Sequence, residues 1–219
     1  MYNNVLITPT LLNSYEFAIN APPSWKARAM NDFVAKLRRE KVDYPAWVQK
    51  GIAFEDTVYR VCEKAKVSRM KTITIGSENF QKVANACLGG DFQVVAKKNL
   101  EIDKLPVLFY NKFDVSFDDR IKDIKTTLNW KGKQKYLKGW QHKLYLWTVN
   151  KFHFDYVVAV WESEHSDTIQ EVHTIPYKIT SMEDVEDEII KGVQEMFQFL
   201  KDNNLYDDYY YTFSKNRKG

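Results

Sequence analysis

Asp114, Asp123 and Lys125 are the residues whose types and spacing could do chemistry together. Val107 to Phe117 is rich in β-branched and aromatic residues, and Arg120 to Thr127 alternates in type. Both read as strands, with Asp118-Asp119 as the turn between them. A two-residue turn pairs residue 117 with 120, 116 with 121, 115 with 122 and 114 with 123. Asp114 then faces Asp123, and directly opposed Cβ atoms lie about 4.5–5.5 Å apart. Carboxylates that close repel unless a cation sits between them. Lys125, two residues beyond Asp123 on the same strand, shares its face. Carboxylate oxygens that leave several waters in place suit Mg²⁺ or Mn²⁺, and a neighbouring ammonium can orient or deprotonate an attacking water. The ordinary alternative for an isolated pattern of this kind is an exposed polar hairpin carrying a surface ion pair.

Other elements must position these groups. Thr8 caps a first helix with Pro9 at its first position and Leu11, Leu12 and Tyr15 on its apolar face, ending near Ala21-Pro22-Pro23. Ser24 reads as the cap of a second helix running to about Arg39; its Lys26, Arg28, Lys36, Arg38 and Arg39 form either a solvated face or phosphate contacts. A third helix spans about Ala46 to Lys66, with Val48, Ile52, Tyr59 and Cys62 on an apolar side into which Glu55 falls. A carboxylate there needs a partner, either a salt bridge or a metal ion. Glu78 to Cys87 forms a short helix ended by Gly89-Gly90, and Phe92 to Lys98 or beyond begins the strands. After Thr127, the basic run Lys131, Lys133, Lys135 and Lys138 leads into a helix expected from about Lys133 to Val149. There Gln141 and Tyr145 share a face, with Lys138 a turn earlier. Phe152 to Trp161 and Thr168 to Tyr177 read as strands, Ser181 caps a helix through about Leu200, and the tail, with Lys215, Arg217 and Lys218, is expected to be partly mobile.

This order predicts an α/β protein with a central mixed sheet flanked by helices and an N-terminal helical region. We expect a single domain over 1–219: a mainly helical part (1–90), a sheet core carrying the motifs (91–180), then a C-terminal helix and tail (181–219). With 32 basic and 29 acidic residues the formal charge is only +3, so any basic surface must be local. Cys62 and Cys87 form no ligand cluster and read as buried thiols in a reducing compartment. The absence of a long apolar run or cleavable leader points to a soluble, cytoplasmic protein without membrane contact. There is no GxxxxGK[ST], GxGxxG, GxSxG or HExxH motif.

Gly51-x-x-x-Glu55 on a helix, Asp114 on a strand, Asp123-Ile124-Lys125 on the next and Gln141-x-x-x-Tyr145 on the following helix stand in one order. That order resembles the PD-(D/E)XK nuclease superfamily, specifically its RecB-like and phage (lambda-type) exonuclease branch. Ile7-Thr8-Pro9-Thr10-Leu11 is similar to the branch's S-P-S opening. The resemblance implies a restriction-endonuclease-like core, with Asp114, Asp123, the Ile124 carbonyl and an acidic Glu55 as metal ligands and Lys125 as the catalytic lysine. Gln141 and Tyr145 would contact substrate or support the site. Lys131, Lys133, Lys135 and Lys138 are candidates to follow the DNA backbone.

Two departures stand out: Asn111 replaces a glycine usual three residues before the first aspartate, and the four cysteine ligands of iron–sulfur members are missing. The expected cofactor is therefore Mg²⁺, with Mn²⁺ able to substitute, and no iron–sulfur cluster. The expected activity is a DNA exonuclease processing ends in recombination, repair or phage DNA metabolism. The alternatives are a structure-selective or restriction-type endonuclease, or a non-catalytic nucleic-acid-binding module keeping the fold. Expected partners are DNA and a single-strand annealing protein or helicase, with self-association into a homo-oligomer also compatible.

Overall fold

A computed structural model describes residues 5–40 and 43–214, with side chains described through Tyr210. The elements are β1 (Val5–Ile7), α1 (Pro9–Asn20), α2 (Pro23–Leu37), α3 (Ala46–Val67), α4 (Glu78–Cys87), β2 (Asp91–Ile102), β3 (Leu105–Ser116), β4 (Arg120–Thr127), α5 (Gln134–Leu137), α6 (Gln141–Val149), β5 (His153–Trp161), β6 (Ile169–Lys178), α7 (Met182–Asp202) and α8 (Tyr206–Ser214).

The fold is α/β, a mixed six-stranded sheet flanked by helices with a helical N-terminal region. The strand order is β1-β3-β4-β5-β6, with β2 also paired to β3. β4 and β5 are parallel, and α5 and α6 lie in the crossover between them. One face of the sheet packs against α1, α2, α6, α7 and α8 around Phe33, Phe109, Trp147, Phe154 and Phe197. The other packs against α3 and α4 around Phe54, Val58, Cys62, Val83 and Trp161.

The β2–β3 ribbon changes faces partway along its length. Val107, Phe109 and Phe113 pack in the first core, yet Val115, which shares their period-two parity, packs in the second. On β2, Val94 and Ala96 pack against the first core and Phe92 against the second. Both changes fall where the ladder skips the Gln93–Asp114 pair, and Gln93 sits there at φ +55°. Positive φ is uncommon for a residue with a side chain, and here it turns the ribbon over at Asp114.

Several sequence expectations need correction. β1 was not foreseen; its three residues are too short for a periodic signal, and it forms because β3 supplies a parallel edge at Val107–Phe109. Ser24 does not cap α2: Pro22 is the cap residue, without a side-chain cap, and Pro23 takes the first helical position, where its fixed φ is already suited. The basic residues of that segment turn partly to the protein: Lys36 donates to Ser14 (3.0 Å), Lys26 to the Ile19 carbonyl, and Arg38 pairs with Asp208 (2.8 Å). The buried face of α3 is Phe54, Val58, Cys62 and Ala65, whereas Ile52 and Tyr59 are exposed. The single helix expected over 133–149 is broken into α5 and α6 near Gly139, so Lys138 does not precede Gln141 on one continuous helix. Nor is residues 206–214 a loose tail: this stretch is α8, whose Tyr209 is fully buried and donates to the Leu6 carbonyl (3.2 Å). Lys215, Arg217 and Lys218 lie outside the described residues.

Candidate active site

The β3–β4 hairpin begins as its two-residue turn dictates, with the Phe117 N–H donating to the Arg120 carbonyl and pairs Ser116–Ile121 and Val115–Lys122 following. The ladder stops there, so the pairing expected between Asp114 and Asp123 does not form as a strand pair. The Ile124 N–H, the next donor that β4 turns toward β3, is taken instead by the Asp114 carboxylate (2.9 Å). A side chain thus satisfies a backbone donor that the opening would otherwise strand. Opening the hairpin also makes room between two strands that would otherwise be sealed. Ile124 packs its side chain into the second core and holds its backbone against Asp114.

Glu55 arrives from the other face of the sheet. A Cβ at Gly51 would stand 2.7 Å from Thr126 Oγ1, so glycine allows α3 to lie directly against β4, and Glu55 follows one turn later. Gln93, at the turnover of β2, donates to Glu55 Oε1 (3.1 Å). Strain of this kind is characteristic of functional sites. Neither Gln93 nor the role of Gly51 was foreseen, because only the fold reveals a positive φ or a helix–strand approach.

From the first face, Gln141 donates to Asp123 Oδ1 (2.5 Å) and to the Tyr145 hydroxyl (3.0 Å), and Tyr145 donates to the Lys112 carbonyl on β3 (2.8 Å). The i,i+4 spacing on α6 thus holds Asp123 and ties the helix to β3. Tyr145 is buried, with its hydroxyl committed inward. Asn13 of α1 accepts from the Trp140 N–H (2.6 Å) at the start of α6, a contact the sequence did not disclose. Asn111, the replacement noted above, is buried and donates to Thr148 Oγ1 (2.5 Å), another tie to α6.

Asp123 is 0% exposed, and its Oδ2 lies 2.5 Å from Lys125 Nζ. That oxygen has no partner at hydrogen-bond geometry, so it is paired with Lys125 through charge. Burial, then Asp114, pushes the Asp123 carboxyl well above the usual carboxylate range. Burial, then Asp114, likewise raises Glu55 to about 7 against the opposing pull of Lys125 and Gln93. Burial draws the Lys125 ammonium down, but Asp123 and Asp114 more than compensate and hold it above its usual value. Its side chain is 35% exposed, so the ammonium bridges the carboxylates and the solvent-filled space beside them.

That space is two adjoining clefts. One of about 380 Å³ is lined by Thr8, Thr10, Tyr110, Lys112, Lys125 and Gln141. The other, of about 590 Å³, runs from Lys125 and Gln141 past Tyr136 to Lys135 and Lys138. Lys131 and Lys133 are exposed but are not among the residues lining either cleft.

Among the described residues, no three His, Cys, Asp or Glu side chains form a ready-made ligand set. One oxygen of each carboxylate is engaged by a protein donor: Ile124 N–H on Asp114, Gln93 on Glu55, and Gln141 on Asp123, whose other oxygen has only the Lys125 charge beside it. The charge nevertheless fits a hard divalent cation. Three carboxylates face one ammonium, two of them are held back from ionising, and a buried carboxylate oxygen lacks a hydrogen-bond partner. Among the described residues, no helix is long and apolar enough to cross a membrane.

No protein-family model matches the sequence, and no curated protein is significantly similar to it. Among solved structures, the fold is similar to the crystal structure of SSO0001 (TM-score 0.53, 11% identity, 91% of this chain and 78% of that one). Weaker likenesses are to an alkaline exonuclease from Laribacter hongkongensis (TM-score 0.49, 13% identity, 90% and 92%) and a phage-related exonuclease from Haemophilus somnus 129PT (0.47, 10%, 93% and 97%). At these identities the likeness to SSO0001 is one of fold.

Proposed function

We propose that this chain is a Mg²⁺-dependent deoxyribonuclease of the PD-(D/E)XK kind, acting as an exonuclease on DNA ends. The observation that carries the reading is the charge imbalance at the opened hairpin: Glu55, Asp114 and Asp123 stand against Lys125 alone, beside clefts large enough for a nucleotide strand.

In this reading Asp114, Asp123 and Glu55 would hold the metal, with the Ile124 carbonyl as a further ligand. A bound Mg²⁺ or Mn²⁺ would neutralise charge on the scissile phosphate and acidify water. Lys125 places a positive charge beside the phosphoryl oxygens as negative charge develops on them, a preorganised contribution that water cannot match. Gln141 fixes the Asp123 rotamer, and Tyr145 fixes Gln141, so both are positioning residues. Gln93 does the same for Glu55. The Lys135 and Lys138 ammonium groups neutralise backbone phosphates along the cleft without reading sequence.

The test is cleavage of end-labelled linear DNA and of covalently closed circular DNA, with Mg²⁺ and with excess chelator. Exonuclease action predicts loss of the linear substrate only, and only with metal. Cutting of the closed circle would favour the endonuclease alternative, and cutting neither, with binding intact, would favour a non-catalytic module.

A further inference from the structure

The larger cleft has two chemically different walls. On the α5 side are Lys135 and Lys138, with Lys125 at the inner end. On the α1 side are Asn13, Glu16, Phe17 and Asn20, where Glu16 repels phosphate and Phe17 offers an apolar ring. Phe17 is 53% exposed. The cleft's other aromatic rings are already in use: Tyr136 stacks on Trp130 (5.9 Å, 25°), packs against Tyr156 (5.5 Å) and lies under Lys135 Nζ (4.8 Å). Phe17 has no aromatic partner of this kind among the described residues. Covering that ring with a planar partner would remove its apolar surface from water, which favours binding there.

We propose that this cleft binds one unpaired strand of DNA, with a nucleobase stacked on Phe17 and its phosphates on Lys135 and Lys138. The inference rests on the nuclease reading for its biological sense but not for its chemistry. Bases within a duplex have their faces covered by neighbouring base pairs, so an aromatic side chain can stack only on a base that has left the stack. The walls also set the strand's orientation, because Glu16 excludes phosphates from the α1 side and the lysines draw them to the α5 side. The site thus takes single-stranded DNA, or the melted end of a duplex, as it approaches Lys125.

The experiment is equilibrium binding in chelator, where no cleavage occurs. The probes are a fluorescein-labelled 12-nucleotide single strand, its blunt duplex and an all-abasic 12-mer with the same phosphate backbone, titrated against wild type, Phe17→Ala and Phe17→Trp. We expect Phe17→Ala to bind the single strand about 10-fold more weakly and the abasic strand as wild type does, with an unchanged dependence on salt. Phe17→Trp should bind the single strand at least as tightly as wild type, which separates stacking from a folding defect. Equal affinity of wild type and Phe17→Ala for the single strand overturns the proposal. So does an equal loss on the abasic probe or the duplex, or wild type binding no single strand. A protein that binds as expected but cleaves nothing in Mg²⁺ keeps this inference and loses the nuclease reading.

Discussion

At the turn end of β4, Asp155 is flanked by Arg120 (3.2 Å) and Lys122 (3.9 Å), and Arg120 also pairs with Asp119 (3.0 Å). At the other end of the same strand, Asp123, Asp114 and Glu55 crowd around Lys125. The first cluster has two cations for two carboxylates. The second has one for three, around a carboxylate with no solvent exposure. A balanced, partly exposed cluster is a structural tie, whereas a buried excess of carboxylates must be relieved by protonation or by a further cation. The contrast is the reason, independent of any relative, for proposing that end of the strand as the functional one.

The comparison breaks most visibly in turnover. Lys125→Ala should lower cleavage by about 10²-fold or more, the scale of losing one preorganised electrostatic group, while DNA affinity falls much less. Comparable losses of both, measured in one Mg²⁺ buffer, would make Lys125 merely another phosphate contact.

Next in size is stability without metal, where the two clusters should respond with opposite signs. Asp155→Asn should destabilise by about 2 kcal/mol, less than for a fully buried pair because Arg120 and Lys122 keep some solvent. Asp123→Asn should leave metal-free stability at or above wild type, because a buried carboxyl already held back from ionising is replaced by a neutral amide of similar shape. Urea unfolding midpoints in chelator decide this, and a large loss in Asp123→Asn would mean that both clusters are structural.

A smaller effect is expected at Gln93. Gln93→Gly relieves the positive φ and should gain about 1 kcal/mol of stability while loosening Glu55 and lowering cleavage several-fold. Unchanged activity would reduce Gln93 to a fold residue. A further effect is on pH dependence. The Glu55 carboxyl is raised from 4.5 to about 7, so its protonated form is favoured in the folded state. Its contribution is complete below pH 4.5 and is lost as pH climbs through about 7. Metal-free stability should fall across that window, and Glu55→Gln should flatten the fall.

What could be read in advance follows from how far each signal travels along the chain. β4 and α4 carry strong local patterns, and their limits were legible to the residue. The hairpin register near the turn was legible too, because a two-residue loop fixes it, but its opening beyond Val115–Lys122 was not: that depends on Asp114 competing with the ladder for the Ile124 N–H. The apolar side of α3 was misjudged by about half a turn, since Ile52 and Tyr59 look like core residues although Phe54 and Val58 take that role. The break at Gly139 hid inside a run of good helix formers. Asn13 and Gln93 carried no sequence signal, because each acts only through a neighbour distant in the chain.

The central claim is that the carboxylate excess around Lys125 is a site for a divalent cation. Titrating Mn²⁺ into metal-free protein near pH 7, in buffers of different ionisation enthalpy, tests it most directly. The account predicts saturable uptake by wild type with proton release, because Glu55 must ionise to serve as a ligand, and loss of uptake in Asp123→Asn. Wild type that takes up no Mn²⁺ and cleaves DNA undiminished in excess chelator would contradict it.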